Sequence, residues 1–237
     1  MNKLIYSLLV VCSVLCFSSC EDETSQDPSV VTYYATLELQ GDATVYWPKG
    51  QAWVDPGYTS EMKGEDVTDQ VKTEVPDVNT PGVYDLTYSI VNEDGFAVYD
   101  SRRVIVYDAT DDRIGGITFW TLDNSLSFRN YDGSISKYKG AFEIYIIAKG
   151  NNEYIISDFL AGWYDQGASY GDAYTMKGTF KLNDDNTITP LSSSVAAWGD
   201  SMDGMDGALF NPETGTISYN VAYAGVMTFT VVLNMNE

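Results

Sequence analysis

The residues best suited to meet a ligand lie in two glycine-rich stretches late in the chain. Residues 159–174 hold Trp163, Tyr164 and Tyr170 beside Asp165, Gln166 and Asp172. Sugar recognition needs an aromatic face for the C–H side of the ring and polar groups for the hydroxyls, and this segment supplies both. The same composition suits a core plug, in which aromatics fill a small β core and glycines relieve the crowding. Residues 198–207 form the second stretch, where Trp198 precedes Asp200, Asp203 and Asp206. Acids at that three-residue interval could converge on calcium, but the two-residue spacing of an EF-hand is absent and the Gly-Asp content also suits an exposed loop. No metal is assigned, and Trp198 is kept as a candidate at a ligand rim.

Catalysis has few means in this chain. Histidine is absent, which removes the commonest general base, the commonest zinc ligand and every Ser-His or Cys-His dyad. With 34 acidic residues, some pairs fall at glycosidase-like separations by chance, so paired carboxylates carry no signal. No nucleophile elbow, phosphate loop or metal signature is present. The expectation is a non-enzymatic protein without a cofactor.

The candidate residues must be positioned by strands. Turn signals recur every eight to twelve residues from Val31 onward, and no long stretch has helical period, so the class is all-β. In residues 31–108, Tyr84, Leu86, Tyr88 and Ile90 share one alternating face, and Arg102-Arg103-Val104-Ile105-Val106-Tyr107 closes a small sandwich of about seven strands. A short polar joint follows at residues 108–112. Residues 113–237 read as a longer antiparallel meander. There Ile217, Tyr219, Val221 and Tyr223 alternate with polar residues, and Met227, Phe229, Val231 and Leu233 face one way. A meander of that length must protect its edges, as a β-barrel or a sandwich, with the barrel favoured.

The amino-terminal residues set the location. Met1–Lys3 carries one positive charge, an apolar run follows from Leu4 to Phe17, and Ser18-Ser19 precede Cys20. This is a secretory leader, too short for a confident membrane span. Phe17-Ser18-Ser19-Cys20 resembles the lipobox of bacterial lipoproteins, which implies lipidation of Cys20 and loss of residues 1–19. Glu21-Asp22-Glu23 resembles the export signal of surface lipoproteins in glycan-degrading Gram-negative bacteria, implying an outward-facing outer-membrane anchor. Residues 20–30 read as a flexible acidic tether.

After cleavage no cysteine remains except Cys20, so disulfides within one chain are excluded. Loss of Lys3 leaves 12 basic against 34 acidic side chains, a net charge of −22. Such a chain repels nucleic acid and anionic headgroups, and neutral partners are expected.

The first unit resembles a bacterial immunoglobulin-like family known from a pesticidal crystal protein and from surface proteins. Asp55-Pro56-Gly57, Asp66-Val67-Thr68, Thr80-Pro81-Gly82-Val83-Tyr84, Glu93-Asp94-Gly95 and Arg103-Val104-Ile105-Val106 carry the likeness. It implies an Ig-like spacer. The second unit resembles the C-terminal domain of uncharacterised lipoproteins from polysaccharide-utilisation systems, through Tyr154–Asp158, Gly162-Trp163-Tyr164, Tyr170-Gly171, Tyr174 and Gly178-Thr179-Phe180. That likeness implies the company of an outer-membrane glycan transporter. The expected function is a non-catalytic binder of neutral polysaccharide or oligosaccharide. The alternative is a structural or adhesive surface protein.

Overall fold

The computed structural model describes residues 31–111 and 113–236. The leader, the lipidation candidate Cys20 and the tether lie outside the described residues.

The first unit holds β1 (Thr36–Leu39), β2 (Thr44–Pro48), β3 (Tyr58–Met62), β4 (Glu65–Asp66), β5 (Lys72–Thr73), β6 (Gly82–Val91) and β7 (Ala97–Tyr107). One sheet runs β1-β3-β4 and the other β2-β7-β6-β5, with β2 parallel to β7. The period-two pattern of β6 is realised: Leu86, Tyr88 and Ile90 are buried, while Asp85, Thr87 and Val91 face out. They pack with Val67, Val71, Val104 and Val106 between the sheets.

The motifs of this unit turn out to be structural clamps. Arg102 is fully buried in β7, donating to Asp55 Oδ1 at 3.1 Å and to the carbonyls of Gln40 and Gly57 at 2.6 and 3.2 Å. Asp55 also accepts the Tyr88 hydroxyl at 2.5 Å and the Gly57 N–H at 2.8 Å. Burial first, then that bond to a carboxylate, pushes the Tyr88 phenol up to about 12. Gly57 is required because its φ is +114° and a Cβ there would lie 2.8 Å from Gln40 Oε1. Asp66 Oδ1 accepts the Thr68 N–H at 2.9 Å, and the Tyr84 hydroxyl donates back to the Thr80 carbonyl at 2.7 Å, in the manner of a tyrosine corner.

The second unit is a single ten-stranded sheet of β8 (Ile117–Leu122), β9 (Phe128–Tyr131), β10 (Ser134–Lys137), β11 (Glu143–Gly150), β12 (Glu153–Ile156), β13 (Met176–Leu182), β14 (Ile188–Val195), β15 (Gly204–Asn211), β16 (Thr216–Tyr223) and β17 (Met227–Met235). Its pairing runs β15-β16-β17-β8-β11-β12-β13-β14. β9 takes up the same edge of β17 as β8, at Met227–Thr230, and β10 pairs outside it. The sheet curls into a half-barrel around Trp120, Ile146, Tyr154, Phe180, Val221, Phe229 and Val231.

Full closure, the favoured expectation, is not reached. Across the seam between β14 and β15 the pairing is one bridge, Thr187 with Leu209, and the Phe210 N–H reaches the Asn186 carbonyl at 2.9 Å. Gly207, at φ +59°, sits in a register shift of the β15–β16 ladder between Asp206 and Leu209, next to that contact.

The joint between the units is pinned to the second one. Asp108 N–H donates to the Ala148 carbonyl at 2.9 Å. The Arg113 guanidinium donates to the Leu182 and Asn183 carbonyls and to Asn186 Oδ1. Asp111 accepts the Tyr154 hydroxyl at 2.6 Å together with the N–H groups of Ile114 and Gly115. Tyr46 of the sandwich meets Phe119 of the half-barrel edge-on at 6.1 Å.

Candidate functional site

Between β12 and β13 the chain leaves the sheet and builds the aromatic segment. Its shape is set by Asp158, a buried carboxylate that accepts N–H bonds from Leu160, Gly162 and Met176, each at 2.8 Å. Those bonds hold Ala161 and Gly162 at φ +49° and +78°, a left-handed pair that reverses the chain. Burial raises the Asp158 carboxyl to about 6, and the three N–H bonds oppose the rise.

Beyond Gly162 comes one π-helical turn, Trp163–Gly167, closed by Gly167 N–H to the Gly162 carbonyl at 2.8 Å and Ala168 N–H to the Trp163 carbonyl at 3.1 Å. Successive side chains on so short a turn point different ways. The turn therefore splits Trp163 from Tyr164.

Tyr164 is half-buried, meeting Phe229 at 6.2 Å on its inner side and a surface cluster on its outer side. Its ring stacks on Tyr170 at 6.1 Å and meets Trp198 edge-on at 4.8 Å, and Tyr174 touches both Tyr170 and Trp198 at 5.2 and 5.0 Å. Tyr170 is 56% and Trp198 43% exposed, large values for aromatics held in mutual contact. Edge-to-face geometry fixes the rings against one another, and the Tyr164 hydroxyl is anchored on Met227 Sδ at 3.5 Å. The structure thus brings Tyr164, Tyr170 and Trp198 into one platform, completed by Tyr174.

Trp163 faces the half-barrel. It meets Tyr138 at 4.8 Å and Phe229 at 5.6 Å, and the Arg129 guanidinium lies 4.6 Å from its ring centre. This is the core-plug arrangement, and the glycines beside it do relieve crowding. A Cβ at Gly162 or Gly167 would come within 2.8 or 3.1 Å of the Phe142 side chain.

The polar candidates also separate. Asp165 is half-buried on the π turn beside Tyr164. Gln166 exchanges two amide bonds with the Glu143 backbone, at 3.2 and 2.9 Å, and so fastens the turn to β11. Asp172 pairs with Lys177 at 2.5 Å, beside the Asp85–Arg103 pair of the first unit, in a groove of about 280 Å³ between the units.

In the Trp198 loop, Asp200 accepts the Tyr223 hydroxyl, Asp203 the Gly225 N–H and Asp206 the Asn220 amide. The three acids therefore serve separate donors, and among the described residues no group of three could hold a metal ion.

Sequence reasoning did not single out Arg129 or Phe142, and it met Asp158 only as the end of the Tyr154–Asp158 stretch. Arg129 left a signal all the same: it stands opposite Phe229 in the β9–β17 ladder, on the face where that strand is apolar.

Comparison with known proteins agrees with this architecture. Residues 37–106 match the family model for a bacterial surface protein, Ig-like domain, and residues 118–235 match one described as a C-terminal domain. The crystal structure of the lipoprotein BT2262 from Bacteroides thetaiotaomicron is similar at 47% identity and a TM-score of 0.67, covering 85% of this chain and 100% of that one. No curated protein matches.

Proposed function

This chain belongs to the family of the Bacteroides thetaiotaomicron lipoprotein BT2262, and from that premise we propose that it is a non-catalytic glycan-binding lipoprotein. It is a surface lipoprotein whose first unit is an Ig-like domain. In this reading Cys20 carries the acyl chains and the anchor is in the outer membrane, facing outward. The Ig-like unit lifts the half-barrel off the membrane, and the half-barrel presents glycan to a neighbouring outer-membrane transporter. Neither matched family model is described by a catalytic activity.

The observation that supports glycan binding is the surface cluster of Tyr164, Tyr170, Tyr174 and Trp198. Tyr170 and Trp198 are exposed and lie outside the strand alternation, and the half-buried Tyr164 and Tyr174 hold them in place. Tyrosine hydroxyls at the platform edge supply donors and acceptors for sugar hydroxyls.

An array of plant, host and microbial glycans, probed with residues 21–237, tests the reading. Trp198→Ala should then weaken the best ligand by up to about tenfold, the loss of one stacking contact of about 0.5–1.5 kcal/mol. Its melting temperature should fall less than that of Trp163→Ala, and the variant should remain folded at the assay temperature. An array without hits removes glycan binding and leaves a structural surface protein. Protease treatment of intact cells tests the outward orientation, since a protein on the periplasmic side would survive it.

A further inference from the structure

The Ig-like unit exposes apolar side chains at the end where the chain enters it. Residues 31–35 lead into β1 and lie against the turn between β6 and β7. The Asn92 amide donates to the Tyr33 carbonyl at 2.7 Å, and the Tyr34 ring meets Phe96 at 5.6 Å. Asn92 Oδ1 accepts the N–H groups of Asp94 and Phe96 at 3.1 and 2.7 Å, so a fixed turn presents Phe96. Tyr34, Phe96 and Tyr99 are 58%, 49% and 67% exposed, and Val31, Tyr33 and Val91 are exposed with them. Val91 pairs with Ala97 and Tyr99 with Ser89, which puts Val91 and Tyr99 on the same outer face of the hairpin. The core does not need these residues, since Leu86, Tyr88 and Ile90 fill it from the other face. Apolar side chains gathered in this way on a surface mark a contact site.

The place of the patch in the chain says what covers it. Cys20 lies eleven residues before Val31, so the two stand at most about 40 Å apart. β7 starts beside the patch at Ala97 and ends at Tyr107, where Asp108 bonds to the half-barrel at Ala148. Its eleven residues span about 35 Å. The patch is thus the end of the unit on the side of Cys20, and the joint to the half-barrel is the other end. Acyl chains on Cys20 would hold the patch near a bilayer at millimolar effective concentration, enough for a contact too weak to bind the free protein.

The charges choose the kind of surface. Lys63 is paired with Glu93 at 2.9 Å, and Asp94 stands next to Glu93 in the turn, so the patch offers no unpaired cation to anionic headgroups. Tyrosine rings with polar edges suit the interfacial layer of a bilayer, where one end of the ring is apolar and the other wet.

We infer that the entry end of the Ig-like unit, through Tyr34, Phe96 and Tyr99, seats on the lipid bilayer that holds Cys20. The inference rests on the anchor reading and adds to it the contact that sets the height and orientation of the protein. The joint to the half-barrel then stands about 35 Å above the surface, at the far end of β7.

The test couples residues 20–237 through Cys20, the sole thiol of that stretch, to a supported phosphatidylcholine bilayer doped with a maleimide-bearing lipid. Neutron reflectometry then measures the water layer between headgroups and protein. The wild-type layer should be thinner than about 5 Å, because the aromatic tip enters the headgroup region. Tyr34→Ser/Phe96→Ser/Tyr99→Ser should thicken it toward about 18 Å, the coil dimension that eleven residues would have. Raising the salt from about 50 to about 500 mM should leave the wild-type layer unchanged, since the contact is apolar.

Equal layers under the two proteins overturn the inference and leave the patch to a protein neighbour. Should the variant fold poorly, the wild-type layer decides alone, and a value near 18 Å overturns the inference. So does a thin layer that is lost in salt. Because Cys20 is coupled chemically, none of these results depends on lipidation in cells. Lipidation is read separately by labelling cells with an alkyne-tagged fatty acid, and an unlabelled protein removes the anchor reading and the inference with it.

Discussion

Lowering the pH from about 7.5 to about 5 should stabilise the half-barrel, and Asp158 should be the reason. Its carboxyl is buried and raised from 3.8 to about 6, while in the unfolded chain it titrates near the ordinary value. The folded state therefore takes up a proton first as the pH falls. Stability rises through pH 6 and levels off below about 4. One pH unit below the folded value, this group alone contributes about 1.4 kcal/mol relative to neutral pH.

For a domain of this size that corresponds to about 3–6 °C in melting temperature. Carboxylates held low by turn hydrogen bonds, such as Asp66, Asp77 and Asp185, work in the opposite direction. Their effect begins only as pH falls toward the ordinary carboxylate value and below. General relief of negative repulsion also favours acid pH, so the comparison that isolates Asp158 is with Asp158→Asn. That variant keeps two N–H bonds and loses the third, which lowers its stability at every pH, but it should lack the extra slope. Thermal melts followed by near-UV circular dichroism at several pH values give both slopes. Equal slopes for the two proteins, or a wild-type stability that falls toward pH 5, would refute the reasoning.

Asp55→Ala should leave the Arg102 guanidinium buried without its carboxylate and cost about 3 kcal/mol, at the low end for a broken buried pair because Arg102 keeps two carbonyl partners. Urea unfolding measures this, and a loss below about 1 kcal/mol would show that the motif is dispensable. Trp163→Ala should cost about 3 kcal/mol through lost contacts with Tyr138, Phe229 and Arg129, whereas Trp198→Ala, an exposed residue that loses ring contacts with Tyr164 and Tyr174, should cost about 1–2 kcal/mol. Equal melts for the two variants would mean that Trp163 is not part of the core.

Much of this molecule follows from its sequence alone. Strand alternation placed Leu86, Tyr88 and Ile90, and likewise Phe229, Val231 and Leu233, on the buried faces they occupy. Period two leaves only one face to bury, so local pattern suffices. The absence of histidine and the cysteines confined to the first twenty residues narrowed the chemistry without reference to any fold.

Other features were decided only in three dimensions. Whether the meander closed depended on the meeting of β14 with β15, strands brought together by the curl of the whole sheet. The separation of Trp163 from Tyr164 required the π turn, which exists because Asp158 gathers three N–H groups from both sides of the loop. The meeting of Arg129 with Trp163 depended on a hairpin folding against a distant turn. Pairing between residues far apart in the chain is set by the balance of all strand edges at once, and no local pattern encodes it.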